Sequence, residues 1–161
     1  MKLSDFVIKN GVLEKYTGNE KEVTVPDGVK WIGWSAFRNC VQIEKVVLPF
    51  GVTRIGERAF VGCVHLSSIN IPESLESIGE RAFYGCVSLC NVIIPEGVTS
   101  VGECAFEGCE SLELKEIPAS VTSIGRTAFK GCKQLSGITV PKTVKWLGWG
   151  IFEGCNKLLQ A

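Results

Sequence analysis

A strict 23-residue repeat governs this chain from residue 26 onward. Six prolines and six cysteines mark it, each at a fixed position of the unit: Pro26, Pro49, Pro72, Pro95, Pro118 and Pro141, and Cys40, Cys63, Cys86, Cys109, Cys132 and Cys155. A period of about 20–50 residues is typical of solenoids, because one unit cannot bury its own apolar side chains and stacking supplies the core. The repeat therefore predicts one continuous stack of six units.

One unit, PESLESIGERAFYGCVSLCNVII, predicts a strand and a turn. Apolar residues alternate over 89–94, which favours a short strand ended by Pro95, since proline cannot donate to a strand ladder. Residues 80–84 predict a short helical turn ended by Gly85. The first unit has Asn39 at that position, and both residue types tolerate the left-handed conformation. We expect a parallel β-strand ladder on one face and short helical turns on the other.

The first 25 residues differ from the repeat. FVIK and VLEKY flank Asn10 and Gly11, and Asn-Gly between alternating runs predicts a β-hairpin because both residues tolerate the positive φ of a type I′ turn. We interpret this hairpin as an N-terminal cap, followed by a first solenoid strand at 22–25. The predicted organisation is cap and first strand at 1–25, then one solenoid domain of six repeats at 26–161.

The other end of the chain runs NKLLQA after the last cysteine and stops before a strand is complete. We expect an apolar edge there, and an open edge favours pairing with another chain. Two interpretations stay open: a homo-oligomer formed through this end, or a sequence excised from a longer protein.

Composition and charge exclude several classes of function. The 161 residues are 45% hydrophobic and carry 17 basic and 17 acidic side chains, so the formal net charge is zero. Without a basic cluster to neutralise phosphates, a nucleic-acid partner is not expected. No apolar run is long enough to span a membrane, and MKLSDFVIKNG lacks the apolar core of a secretory signal. As written, the chain predicts a cytoplasmic location, or a secreted or surface location if it belongs to a longer protein.

The cysteine spacing favours a buried ladder of reduced thiols over disulfides, because equivalent positions line up along the stack. A zinc site is not expected, since there is no CxxC and only one histidine, His65. Cys90 and Cys104 lie outside the ladder, at positions that are mostly polar in other units, and we expect both thiols to be exposed.

Catalytic residues are not evident. His65 occupies a repeat position that varies between units, which is typical of a solvated surface. Glu57, Glu80 and Glu103 recur at one position, but Arg58 and Arg81 run beside them and balance the charge. The sequence therefore predicts no enzyme, no metal and no cofactor.

At the level of the whole unit, the chain resembles a known family. The pattern P-x-x-[VL]-x-x-[IV]-G-x-x-A-F-x-G-C-x-x-L-x-x-I-x-I is similar to the 23-residue leucine-rich repeat of the BspA type, and the opening hairpin is similar to the one that often precedes such arrays. The resemblance implies a leucine-rich repeat solenoid that binds proteins, in many members at the cell surface. In SLELKEIP, Lys115 occupies the inward position of other units, so we expect a local register change or a snorkelling lysine, with Leu114 buried instead.

The predicted strand face carries the candidate partner-binding residues. Its outward side chains vary between units while the framework does not, and two of them are apolar where a solvated sheet would be polar. The alternative is a merely solvated face. The candidates are Lys45, Val47, Ser68, Asn70, Asn91, Ile93, Glu116 and Thr139.

Four tryptophans complete the candidate set. Trp31 and Trp34 stand in the first unit and Trp146 and Trp149 in the last, at positions that are polar in the four middle units and so face water. The first pair either packs against the cap, where Phe6 and Tyr16 supply apolar surface, or binds a partner. For the second pair the choices are another copy of the chain, a downstream segment or a ligand, and self-association is favoured.

Taken together, these patterns predict a non-enzymatic protein–protein interaction module that presents a rigid solenoid surface. Two alternatives remain open. One is a carbohydrate or cell-surface recognition module, in which exposed indoles stack on sugar rings. The other is a self-assembling structural repeat unit.

Overall fold

A computed structural model of the chain describes residues 2–158 as a solenoid of stacked 23-residue units. The chain opens with a 3₁₀ turn at Leu3–Asp5. Eleven strands follow within the described residues: β1 (Phe6–Lys9), β2 (Val12–Tyr16), β3 (Glu22–Thr24), β4 (Trp31–Ile32), β5 (Lys45–Val47), β6 (Arg54–Ile55), β7 (Ser68–Asn70), β8 (Ser77–Ile78), β9 (Ser100–Val101), β10 (Ser123–Ile124) and β11 (Trp146–Leu147). They form an eight-stranded sheet in the order β1-β2-β4-β6-β8-β9-β10-β11 and a three-stranded sheet in the order β3-β5-β7. The predicted repeat solenoid with a parallel ladder is confirmed.

The N-terminal hairpin is also confirmed. β1 and β2 pair antiparallel around Asn10 and Gly11, whose φ values of 49° and 76° are the positive angles that a type I′ turn requires. β2 then pairs in parallel with β4, so the hairpin extends the larger sheet. The boundary of the cap at residue 25 stays a prediction.

The position of the main ladder differs from the prediction. Residues 89–94 form no strand, and the three-stranded sheet ends at β7. The longer ladder lies instead in two-residue strands, each followed by a glycine. A Cβ at Gly102 would lie 2.5 Å from the backbone nitrogen of Glu80, so the units approach too closely there for any other residue. Two-residue strands are too short to show an alternating pattern in the sequence.

A column of stacked phenylalanines runs through the core. Successive rings lie 4.9–5.9 Å apart between centroids, with interplanar angles of 3–18°. The column consists of Phe37, Phe60, Phe83, Phe106, Phe129 and Phe152. Full burial of one such side chain contributes about 1.5–3 kcal/mol, so the column is a main source of the stability of the stack.

The turns between strands are held by hydrogen bonds from one unit to the next. The backbone nitrogen of Phe37 donates to the carbonyl oxygen of Ala59 at 2.7 Å, and the same bond recurs down the stack. The left-handed conformation predicted for Asn39 and Gly85 is confirmed, with φ values of 57° and 71°.

The predicted register change at SLELKEIP is confirmed. Leu114 is buried and Lys115 is exposed, so the inward position has moved by one residue relative to Val92 in the preceding unit. The three-stranded sheet ends before this shift, and residues 91–94 lie between its last strand and the shifted segment.

Candidate functional site: two exposed surfaces of the solenoid

The strand face is the surface formed by Lys45, Val47, Ser68, Asn70, Asn91, Ile93, Glu116 and Thr139. The first four lie on β5 and β7, whereas the last four lie on segments without strand pairing. All are exposed except Val47, which is partly buried. The structure thus brings the predicted residues to one side of the stack, but only half of them on a sheet.

Two residues of the strand face already have partners. Asn70 Nδ2 donates to the carbonyl oxygen of Leu48 at 3.0 Å, and its Oδ1 accepts from the backbone nitrogen of Leu48 at 2.7 Å. Asn70 therefore completes the hydrogen bonding at the end of β5, a structural role that the sequence did not reveal. Lys45 Nζ lies 3.9 Å from Glu22 Oε2, a loose ion pair between exposed side chains.

A groove of about 410 Å³ opens on the strand face where the sheet has ended. Ile93, which is 67% exposed, forms its apolar part, and Lys115 and Glu113 contribute opposite charges. Lys157 Nζ donates to Gln134 Oε1 at 2.5 Å on the far side. Lys115 is thus a groove residue rather than a defect of the repeat, and the irregular stretch SLELKEIP was the signal that could have found it.

The tryptophan face is the surface that carries the four tryptophans, all of them exposed: Trp31 and Trp146 lie on β4 and β11, and Trp34 and Trp149 lie in the turns that follow these strands. Trp31 is 44%, Trp34 63%, Trp146 68% and Trp149 66% exposed. The prediction that these positions face water is confirmed.

Phe6 and Tyr16 do not supply the apolar surface that one of the two alternatives expected for the first pair, although β4, which carries Trp31, pairs with β2 of the cap. Phe6 and Tyr16 turn inward instead, with ring centroids 5.2 Å apart, and Tyr16 lies 5.3 Å from Phe37. The cap thus extends the phenylalanine column, because the inward position is where its aromatic rings lose the most water contact. Arg54 covers Trp31 from the outside, with its guanidinium carbon 5.0 Å from the ring centroid.

The last pair lines a cleft of about 430 Å³, called the indole cleft, formed by Glu103, Gly125, Arg126, Trp146, Gly148 and Trp149. A Cβ at Gly148 would overlap the backbone nitrogen of Arg126, so the backbones of the last two units are in close contact beside the cleft. Arg126 Nε lies 2.5 Å from Glu103 Oε1. Their ion pair places a carboxylate and a guanidinium beside the indoles. From the sequence, Glu103 stood out only as one of a row of recurring acids, and Arg126 did not stand out at all.

No catalytic arrangement comes together around the candidate acids and the histidine. His65 is exposed, and its Nδ1 lies 2.7 Å from the carbonyl oxygen of Val41. Glu57 and Glu80 are paired with Arg58 and Arg81, as charge balancing predicts. Within residues 2–158 no cluster of three or more histidine, cysteine or acidic residues could hold a metal ion. The same part of the chain contains no helix of the length and apolarity that crossing a membrane requires.

The ladder cysteines are free thiols in the core, as predicted. Five of them donate to the carbonyl oxygen of the phenylalanine 26 residues earlier, at 3.0–3.2 Å: Cys63, Cys86, Cys109, Cys132 and Cys155. Burial raises the pKa of Cys63 to about 12 and holds the thiol in its neutral form. Burial therefore disfavours the thiolate, which is the reactive form of a cysteine.

The prediction that Cys104 is exposed is wrong. Its thiol is buried, with Sγ 3.2 Å from Thr127 Oγ1, and burial raises its pKa. Thr127 Oγ1 in turn donates to Glu107 Oε2 at 3.0 Å. The next unit of the stack therefore covers the Cys104 thiol, which would be exposed in an isolated unit. Cys90 is partly buried, and its Sγ donates to the carbonyl oxygen of Ser67 at 3.2 Å.

Comparison with known families finds six copies of the BspA type leucine-rich repeat region, matched at residues 7–114 and 99–160. Among proteins of curated function, none shows significant similarity to the chain.

The solved structures that match the chain include three that are similar in both fold and sequence. A leucine-rich repeat protein of T. pallidum is 34% identical with a TM-score of 0.91, and the match covers 98% of this chain and 79% of that one. A leucine-rich repeat protein from Bacteroides ovatus is 34% identical with a TM-score of 0.80, over 95% of this chain and 43% of that one. A leucine-rich cell surface protein from Faecalibacterium prausnitzii is 29% identical with a TM-score of 0.55, over 87% of this chain and 53% of that one. The chain therefore spans only about half the length of the last two.

Proposed function

The chain belongs to the BspA-type leucine-rich repeat family, and from this premise we propose that it is a non-enzymatic module that binds a protein partner through the strand face. The observation that carries the proposal is the groove beside Ile93. It combines an apolar side chain that is two-thirds exposed with Lys115, Glu113 and Asn91. Exposed apolar surface rimmed by polar groups is typical of protein interaction sites.

The packed residues beneath the groove support this proposal. Leu114 and Val92 are buried beneath the groove, so its outer side chains rest on packed core residues. A preformed surface orders few groups on binding, and the entropic cost of association is correspondingly small. The exposed residues can vary without disturbing the units below them.

A surface or secreted location is part of the proposal. It is supported by family membership and by the F. prausnitzii neighbour, which is described as a cell surface protein. The alternative, a cytoplasmic location, predicts a partner from the cytosol. The source of the captured partner therefore distinguishes between the two locations.

The test combines affinity capture with direct titration. The protein is used to capture partners separately from extracellular and cytosolic protein pools, and each captured protein is purified and titrated by calorimetry. A variant with Lys45→Ala, Asn91→Ala and Ile93→Ser should weaken binding by more than tenfold. Its free energy of unfolding should change by no more than about 0.5 kcal/mol for each exposed substitution. Asn70 is left unchanged because its side chain bonds the backbone of Leu48.

A matched control carries Val87→Ser and Lys133→Ala, which are exposed residues away from the groove. This control should bind as the unmodified protein does. Equal affinity of the strand-face variant and the control would show that the binding site lies elsewhere.

A further inference from the structure

We propose that the indole cleft is a saccharide-binding site that takes a pyranose ring of a neutral oligosaccharide. The proposal does not rest on the strand face, because the cleft lies on the eight-stranded sheet and shares no residue with that surface.

The first argument is that the backbone path of the repeat unit directs the indoles outward. Trp34 occupies the same repeat position as Trp149 and lies in a unit that is flanked on both sides, by the hairpin and by the second unit, yet the two are almost equally exposed. The outward direction of Trp149 is therefore set by the path of the unit. A large apolar side chain held outward in this way buries its apolar surface only when a ligand or partner covers it.

The second argument is the size and shape of the cleft. Its volume of about 430 Å³ lies within the range of small-molecule sites, which is about 300–1,000 Å³. Gly125 and Gly148 contribute backbone atoms but no side chains to its lining, and Trp146 and Trp149 line the same space. A pyranose ring can therefore approach the backbone while the C–H face of its chair contacts an indole.

The third argument is the polar chemistry beside the indoles. Arg126 uses Nε for its ion pair with Glu103, and a guanidinium has five N–H donors in all. The carboxylate of Glu103 has two oxygens, each of which accepts more than one hydrogen bond. Donors and acceptors lie side by side, and this is what adjacent sugar hydroxyls require, since each hydroxyl both donates and accepts.

The charge of the cleft selects for a neutral ligand. Glu103 and Arg126 neutralise each other, so neither a phosphate nor an ammonium group gains a net electrostatic attraction. A pyranose ring combines one face of C–H groups with an edge of hydroxyls, and it matches both the indoles and the ion pair. A purely apolar partner would leave the ion pair desolvated and uncompensated.

The first pair supplies an internal control. Trp31 already has a partner, because the guanidinium of Arg54 lies over its ring. In that region Glu57 is paired with Arg58, its immediate neighbour in the chain. The same tryptophan motif thus occurs twice, but only the last copy combines uncovered indoles with the Glu103–Arg126 pair.

The test is a titration of the full chain with lactose, cellobiose, N,N′-diacetylchitobiose and maltose, in which binding is monitored by tryptophan fluorescence. At least one should give a saturable change with a dissociation constant of about 1 mM, the weak range expected for a small open site. Trp146→Ser with Trp149→Glu, which restores the residues of the middle units, should lower the affinity at least tenfold. Trp31→Ser with Trp34→Glu should leave it unchanged. Glu103→Gln keeps the shape of the side chain and should weaken binding by about tenfold, because a charged acceptor is lost.

Two results would overturn the proposal. One is the absence, on an array of neutral oligosaccharides, of any signal above that of the Trp146→Ser, Trp149→Glu variant. The other comes from sedimentation: if the unmodified chain is a dimer that this variant converts to a monomer, and no sugar shifts that equilibrium, the indoles serve a second copy of the chain. Saturable sugar binding by a monomer supports the site, and it does so whether or not the strand face binds a protein.

Discussion

The first and last units carry nearly the same motif, VKWIGW and VKWLGW, in different surroundings. In the first unit, Ile32 is fully buried between β2 and β6, and Arg54 lies over Trp31. In the last unit, the equivalent Leu147 is 54% exposed and the indoles border an open cleft.

The comparison shows which properties belong to the motif and which to its neighbours. β4 and β11 have the same length and the same register in the ladder, so the local sequence determines the strand and the outward direction of its tryptophan. Burial of the following residue depends on whether the adjoining strands lie over it. In a repeat protein of this kind, the burial of a residue therefore depends on the interface between neighbouring units and not on one unit alone.

The largest expected effect separates the two inward positions of the motif. Ile32→Ala should lower the free energy of unfolding by about 2–5 kcal/mol, because it opens a cavity in a packed core. Leu147→Ala should cost less than about 1 kcal/mol, because its side chain is largely in water already. Urea denaturation followed by circular dichroism measures both.

Equal costs for these two substitutions would break the comparison. They would mean that Leu147 is covered in solution to the same degree as Ile32.

A second contrast sets the thiol of the first unit against that of the next. Burial raises the pKa of the Cys63 thiol from the ordinary cysteine value of 9.0, which applies to the unfolded chain, to about 12. Between pH 9 and 12 the unfolded thiol loses its proton and the folded thiol keeps it, so stability falls as the pH rises. For each pH unit above 9, Cys63 lowers the free energy of unfolding by about 1.4 kcal/mol.

Cys63→Ala should therefore flatten the fall in unfolding free energy between pH 9 and 10.5. Cys40 is only partly buried, and its pKa is raised by that burial to a smaller extent, so Cys40→Ala should flatten it less. Denaturant titrations at several pH values compare the two variants, and identical slopes for both would contradict the assignment of deeper burial to Cys63.

The smallest effect concerns the contact that distinguishes the two tryptophan pairs. Arg54→Ser introduces the serine that the other three middle units carry at this position, and it removes the guanidinium from the ring of Trp31. An exposed cation–π contact contributes about 0.5–1 kcal/mol, so stability should fall by no more than that. Acrylamide should then quench Trp31 more strongly, measured in a chain whose other three tryptophans are replaced.

Arg58→Ser is the control for this experiment, because Arg58 pairs with Glu57 instead of covering an indole. Quenching of Trp31 that does not respond to Arg54→Ser would show that the two side chains do not associate in solution.

Much of the fold was predictable because each local pattern of the unit occurs in six copies and because the hairpin has a turn signal of its own. The hairpin at Asn10 and Gly11, the left-handed position at Asn39, and the shift from Lys115 to Leu114 all follow from residue types at fixed spacing. The main ladder was not predictable in the same way. Its strands have two residues each, and what permits them is the close approach of backbones at glycine, which leaves no pattern of alternating side chains.

The candidate sites were less predictable because they depend on contacts between units. Exposure of the four tryptophans followed from the polar residues at the same positions of the middle units. The burial of Cys104 by Thr127 and the stacking of Arg54 on Trp31 did not, because each pair lies 23 residues apart and joins side chains of unlike type. The structural role of Asn70 was hidden for a related reason, since its amide bonds a backbone 22 residues earlier.

The backbone bonds that join one unit to the next also govern how the molecule would respond to tension. They run along the stack from Phe37 to Ala59, from Phe60 to Ala82 and onward, in line with a force that pulls the two ends apart. Each interface would bear the whole load, and the weakest would yield first. Every unit that peels away would release about 80 Å of extended chain, given 23 residues at about 3.5 Å each. A tethered molecule would therefore lengthen in equal steps and absorb mechanical work without failing all at once.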